Sequence, residues 1–180
     1  PILSDVIYVK EEFRTAVENV LEPYLNYYVV NNLKEGLEAI HLLDNNKKGK
    51  ANFFLLDRLN EEFGSKPNNP HAINGTIPAI DVVEFDAQYS NLFKFLLGNV
   101  FIAENESALE NANGSVVLER TGKYVKGKFS LTGGSVGLFE GNKIGRAKNL
   151  EKLADAITAQ DLIVSDLKDK IKAKHDLVLE

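Results

Sequence analysis

The 180-residue sequence has no cysteine, methionine or tryptophan, and only five prolines and three histidines. Without cysteine there is no disulfide, no thiolate nucleophile and no cysteine-ligated zinc, and that composition fits the cytosol. The histidines, His41, His71 and His175, do not pair at metal-binding spacing, so no metal site is expected. No apolar run approaches the roughly 20 residues of a membrane span, and no signal peptide opens the chain. With no initiator methionine and Pro1 at the start, we expect a fragment or processed product whose partners lie in missing sequence. No two acid–base residues are placed together by spacing, which ranks a small α/β enzyme last among the readings and leaves the fragment without an expected cofactor.

What is present is an ordinary globular composition, 44% hydrophobic and 26% charged, and a length that supports a real core in one domain or two small ones. Glycine and positive charge are concentrated in one place. Eight of the thirteen glycines lie between Gly114 and Gly145, and the stretch from Arg120 to Lys148 carries seven basic residues against one acid, Glu140. The whole chain has a net charge of −5, so everything outside this ribbon is strongly acidic. Three readings compete for the ribbon. Gly122 to Lys128 fits the first seven places of a phosphate loop, GxxxxGK, but Phe129 occupies the Mg²⁺-holding place and strand residues surround it. Gly133-Gly134-Ser135-Val136-Gly137 fits a nucleophile elbow, but the next residues, Leu138 to Gly145, are too glycine-rich for the required helix. The third reading is a strand edge built for close backbone approach by another chain, since glycine has no Cβ to hold the two apart. Ordinary turn chemistry accounts for about half of these glycines.

Periodicity along the chain alternates. Residues 10–22 read as a helix that Pro23 ends, and Tyr27–Val30 as a strand. Asn31 or Asn32 caps a second helix with Leu33, Leu37, Ile40 and Leu42 or Leu43 as its apolar stripe and a partly buried His41 beside it. Ala51–Leu56 is a strand. Residues 57–78, charged and then rich in proline and glycine, read as a linker or long surface loop. A strand at Ala79–Phe85, an apolar helix from Tyr89 to Leu97 and a strand at Val100–Ala103 come next, then a short helix over Glu104–Asn111. Strands at Ser115–Glu119 and Tyr124–Leu131 flank Thr121-Gly122. This alternation predicts an α/β fold in two lobes, with boundaries at 1–62, a linker at 63–78, and 79–145. From Arg146 the period becomes seven: Leu150, Ile157, Val164, Ile171 and Val178 at a, with Leu153, Gln160, Leu167 and Lys174 at d. That predicts a coiled-coil arm over 146–180.

Taken together these segments resemble the hinge domain of SMC (structural maintenance of chromosomes) proteins of prokaryotic type. The resemblance is carried by Ala16-Val17-Glu18 with Leu21, Tyr28-Val29-Val30, Ala39-Ile40 and Leu43, Gly49 to Leu56, and Thr121-Gly122, Gly127, Gly133-Gly134 and Arg146. It implies a two-lobed hinge that homodimerises, set at the far end of a coiled coil from ATPase heads lying elsewhere in the full protein. On that view 146–180 begins the returning arm, the outgoing arm is missing, no catalysis resides in this chain, and the protein is cytoplasmic and nucleoid-associated. The dimer surface is then expected at Gly122, Gly127, Gly133 and Gly134, with Tyr124, Phe129 and Leu131 as its apolar part. Weak, sequence-insensitive DNA contact is expected at Lys123, Lys126, Lys128, Lys143, Arg146 and Lys148, with single strands favoured because Tyr124 and Phe139 lie among the charges. A stand-alone single-stranded DNA-binding module is the second reading.

Overall fold

The computed structural model describes residues 1–65, 73–109, 114–134 and 144–179. The chain divides into two compact units, a body at Pro1–Gly145 and a helix at Arg146–Glu180.

The body opens with an extended segment and a short 3-10 turn, then strand β1 (Tyr8–Val9). Helix α1 (Arg14–Leu21) buries Ala16, Val17, Glu18 and Leu21 on one face. Strand β2 (Tyr28–Val30) leads into helix α2 (Leu33–Asn45). The start of α2 is fixed by a reciprocal cap: the Asn32 side chain accepts from the Glu35 N–H at 3.0 Å, and the Glu35 carboxylate accepts from the Asn31 N–H at 2.9 Å. The side-chain and then the backbone hydrogen bond from Asn31 hold the Glu35 carboxyl below its ordinary value. Strand β3 (Phe53–Leu55) pairs in parallel with β2, and helix α3 (Leu56–Phe63) continues from it without a break.

Strand β4 (Thr76–Pro78), a 3-10 turn over Ala79–Val82, strand β5 (Val83–Glu84) and helix α4 (Ser90–Leu97) come next. Strands β6 (Val100–Ala103), β7 (Val116–Glu119), β8 (Tyr124–Lys126) and β9 (Leu131–Gly133) complete a five-stranded sheet in the order β4-β6-β7-β8-β9. The β6–β7 pair is parallel and the other three pairs are antiparallel. All four residues of β6 are buried, as the unbroken Val-Phe-Ile-Ala run requires of a strand covered on both faces.

One hydrophobic cluster runs from Leu3 and Val17 through Leu92 and Phe93 to Leu118 and Ile144, so the two halves of the body share a core. Strand β1 pairs antiparallel with β5 and stitches the opening segment to the second half. Asn91 Nδ2 donates to Asn60 Oδ1 at 2.9 Å, tying α4 to α3.

The stretch expected as a linker therefore has structure at both ends, α3 before it and β4 at its close. The charged segment at 57–63 has the spacing of a short helix packed on α4, and Thr76-Ile77-Pro78 fits an edge strand, where proline is tolerated. The strand expected over Ala79–Phe85 is mostly a 3-10 turn, with only Val83 and Glu84 pairing. The short helix expected at Glu104–Asn111 is a 3-10 turn over Glu106–Leu109. His41, expected to be partly buried, is exposed.

Candidate functional site: an open strand edge and its basic hairpin

The glycine-rich ribbon folds as two tight turns around β8. In the first, between β7 and β8, the Glu119 carboxylate accepts from the Thr121 N–H at 3.0 Å, the Thr121 hydroxyl at 2.5 Å and the Lys123 N–H at 3.1 Å. Partial burial works against the charge of Glu119, but the Thr121 and Lys123 hydrogen bonds and the Lys123 ammonium outweigh it and hold the carboxyl below its ordinary value. Gly122 completes this turn at φ +82, and a Cβ there would lie 2.7 Å from the Thr15 methyl. Asn19 Nδ2 donates to the Gly122 carbonyl at 2.7 Å, docking the turn on α1. Arg120 adds an ion pair to Glu12 and stacks over the Phe13 ring at 5.2 Å.

The second turn joins β8 to β9. The strand expected over Tyr124–Leu131 is broken here, because the Gly127 N–H donates to the Ser130 carbonyl at 2.8 Å and reverses the chain. The Gly134 N–H donates to the Lys123 carbonyl at 3.0 Å. With Val125 opposite Thr132, these bonds set the alternation of an antiparallel pair. Gly127/Ser130, Val125/Thr132 and Lys123/Gly134 face inward, and the backbone groups of Leu131 and Gly133 point away from β8. Among the described residues no strand lies beyond β9, so this outward row is a free edge.

The two phosphate-loop glycines are already engaged. The Gly122 N–H donates to the Glu119 carbonyl and the Gly127 N–H to the Ser130 carbonyl, and β-structure rather than a helix comes after Lys128. Neither of these two glycine amides is then free to hold a phosphate. Ser135 of the elbow pattern lies outside the described residues.

The expected interface residues separate into distinct roles. Gly122 is buried against α1 of its own chain, where a Cβ would meet Thr15, Ala16 and Asn19. Gly127 serves the turn, where a Cβ would meet Ser130 Oγ at 2.7 Å. At Gly133 a Cβ would meet Tyr124 Cβ at 2.8 Å, so glycine is required for the β8–β9 pairing itself. A Cβ at Gly134 would meet nothing within 4 Å among the described residues. Leu131 shares a face with Tyr124 and Lys126 and is 72% exposed, and Phe129 at the hairpin tip is 92% exposed. Of the expected DNA contacts, Lys123, Lys126 and Lys128 fall together on β8 and its turns, and the Lys128 ammonium sits 5.1 Å over the Phe129 ring. Lys143 and Phe139 lie outside the described residues. Arg146 and Lys148 belong to the helical unit.

A second free edge escaped the sequence reading. Strand β2 has β3 on one side and a bridge from Ile2 on the other, so β3 is left open on its far side among the described residues. The helical unit is α5 (Arg146–Leu179), 34 residues and roughly 50 Å long at about 1.5 Å per residue. Its heptad residues Leu150, Leu153, Ile157, Val164, Leu167 and Ile171 are all exposed. Among the described residues no group of His, Cys, Asp or Glu is placed to hold a metal ion, and no helix is long and apolar enough to cross a membrane.

A small α/β body with open strand edges at β3 and β9, followed by a long helix bearing an exposed heptad stripe, has the make-up of a module carried on a coiled coil. The chain belongs to the SMC hinge family: the family described as SMC proteins Flexible Hinge Domain matches residues 1–112. Chromosome partition protein Smc of Methanococcus voltae is 32% identical over 186 residues, covering 98% of this chain and 15% of that protein. The chain thus spans less than a fifth of the length of the curated relatives it matches. Among solved structures, the Pyrococcus furiosus SMC hinge domain is 28% identical with a TM-score of 0.58, covering 76% of this chain and 74% of that one. An asymmetric dimer of the Geobacillus stearothermophilus SMC hinge domain has a TM-score of 0.64 at 24% identity, covering 97% of this chain and 73% of that one.

Proposed function

We propose that this hinge domain joins two copies of a chromosome partition protein by homodimerisation, with α5 as one strand of a coiled-coil arm. The observation that carries it is the free edge of β9, whose outward Leu131 and Gly133 groups need a strand from elsewhere. A twofold pairing of β9 with β3 of a second copy closes both edges at once, because each protomer offers one of each. The interface residues are then Gly133, Gly134, Leu131 and Phe129, with Tyr124 beside them, while Gly127 shapes the hairpin. The body acts as two lobes, 1–62 and 79–145, each supplying one edge. The a/d stripe of α5 pairs with a second helix of the same protein. ATP hydrolysis belongs to other parts of the full protein, which works in the cytoplasm at the nucleoid. Sedimentation equilibrium should give twice the 20.0 kDa chain mass at micromolar concentration, and Gly134→Glu should give the single mass. A monomeric parent would remove the proposal.

A second reading, compatible with the first, is favoured by the grouping of Lys123, Lys126 and Lys128 on one hairpin of an otherwise acidic chain. This hairpin contacts the phosphate backbone of DNA weakly and without reading sequence, with single strands favoured by the nearby Tyr124 ring. Lys143, Arg146 and Lys148, next along the chain, are proposed to add to it. Changing Lys123, Lys126 and Lys128 to Glu should abolish fluorescence-polarisation binding of single-stranded DNA at low salt. Equal binding by parent and variant would sink this reading.

A further inference from the structure

We infer that a shallow groove beside α2 receives the Phe129 tip of a second copy of this chain. The inference rests on the dimerisation reading above and names the surface that takes the hairpin.

Helix α2 meets the body through its small residues. Gly36 is buried, and a Cβ there would lie 3.6 Å from a Leu55 methyl and 3.9 Å from a Val30 methyl, so the helix covers the Val30–Leu55 face of the β2–β3 pair. Its larger residues stay open: Leu33, Leu37 and Ile40 are each nearly half exposed. On the same sheet face Tyr28 is equally open and stacks on Phe53 at 5.6 Å. Leu33 and Leu37 line a groove of ≈ 630 Å³ with Glu38, His41 and Asp57. Asp57 lies two residues past β3, which puts the groove beside the strand whose outer edge is free.

The large apolar residues that the described body exposes fall into two main groups. One is Tyr28, Leu33, Leu37, Ile40 and Leu42, around α2, and the other is Phe129 and Leu131, on the hairpin; Phe95 stands apart. Each group flanks one of a pair of open edges, β3 and β9. A twofold dimer that pairs those edges brings the groups together twice, so a patch on each side is covered by its counterpart. Charge agrees with this match. Glu38 and Asp57 line the groove with one lysine, Lys34, which is 3.9 Å from Glu38 and leaves Asp57 as the acid in excess, and Lys126 and Lys128 flank Phe129 on the hairpin. An aromatic side chain seated in an apolar groove is the usual anchor of an interface.

The cysteine-free chain allows a direct test. Leu37→Cys and Phe129→Cys proteins, made separately, are mixed and treated with a short bismaleimide. The expected product is a covalent dimer in the mixture and little in either protein alone. Products formed only within one variant, or none although the parent sediments as a dimer, would overturn the groove assignment. Phe129→Ser changes a residue that touches little of its own body and should weaken dimerisation about tenfold or more; an unchanged dissociation constant would also overturn it. The underlying reading is judged separately. If the parent is dimeric and Gly134→Glu monomeric, a failed 37–129 crosslink removes only the groove. If the parent is monomeric, both fall.

Discussion

The backbone N–H of Ile144 donates to the Glu18 carboxylate at 2.8 Å, with Glu18 2% and Ile144 1% exposed. Next to it, the Gly145 N–H donates to the Ser4 carbonyl at 3.1 Å. A buried carboxylate on α1 thus anchors the last segment of the body, and Ile144 fills the core behind it.

Removing that acceptor strands a buried donor. Glu18→Ala should destabilise the body by about 1–3 kcal/mol, the cost of an unsatisfied buried group. Glu18→Gln, which keeps an oxygen in place, should lose less. Urea denaturation gives the ranking, and hydrogen exchange at the Ile144 amide should accelerate in the Ala variant ahead of global unfolding.

The Glu119 turn should respond to acid. Its folded pKa is depressed, so its contribution to stability is complete above the unfolded carboxyl value and is lost as pH falls through the folded one. The window lies below about pH 4.3, the ordinary glutamate value. In Glu119→Gln that part of the acid dependence should vanish. A two-dimensional NMR titration of the Thr121 and Lys123 amides would show it, and unchanged acid shifts in the variant would refute it.

Adjacent glycines should behave differently. Gly133→Ala forces a Cβ against Tyr124 and the Lys123 carbonyl, an overpacking that costs about 1–3 kcal/mol. Gly134→Ala meets none of the described residues and should stay within about 0.5 kcal/mol of the parent. Thermal unfolding at a concentration where both are monomeric separates them. Equal losses would show that the free edge begins elsewhere.

Gly122→Ala combines a left-handed backbone with a 2.7 Å approach to Thr15. The loss should exceed that of Asn19→Ala, which removes one hydrogen bond worth about 1 kcal/mol. Denaturant midpoints of the two variants check the order.

Much of this was legible in sequence because the signals were local. The 3.6-residue period of α1, α2 and α4, the buried run Val100–Ala103 and the seven-residue period after Arg146 all have short-range causes. The roles of individual glycines were not legible. Gly122, Gly133 and Gly134 read alike in sequence, yet one meets α1, one meets the neighbouring strand and one meets nothing. Those differences depend on residues more than a hundred positions away in the first case and on hairpin register in the second. The open face of α2 was hidden for a similar reason. A stripe of Leu33, Leu37 and Ile40 announces an apolar helix face, but whether its own chain covers it is a tertiary matter. The helix at Leu56–Phe63 was missed because its charged residues outweighed a short apolar period.

The meeting of Ser4 with Gly145 has a mechanical consequence. The opening and closing segments of the body lie side by side, held by the Ser4–Gly145 and Glu18–Ile144 hydrogen bonds. A pull that separates them loads those bonds one after another, as in peeling, instead of shearing the five-stranded sheet along its strands. The sheet stays largely outside the line of force until the clasp has opened. An optical-tweezers trace on chains tethered at the two segments should then show an early low-force step, lost in Glu18→Ala, before the body gives way.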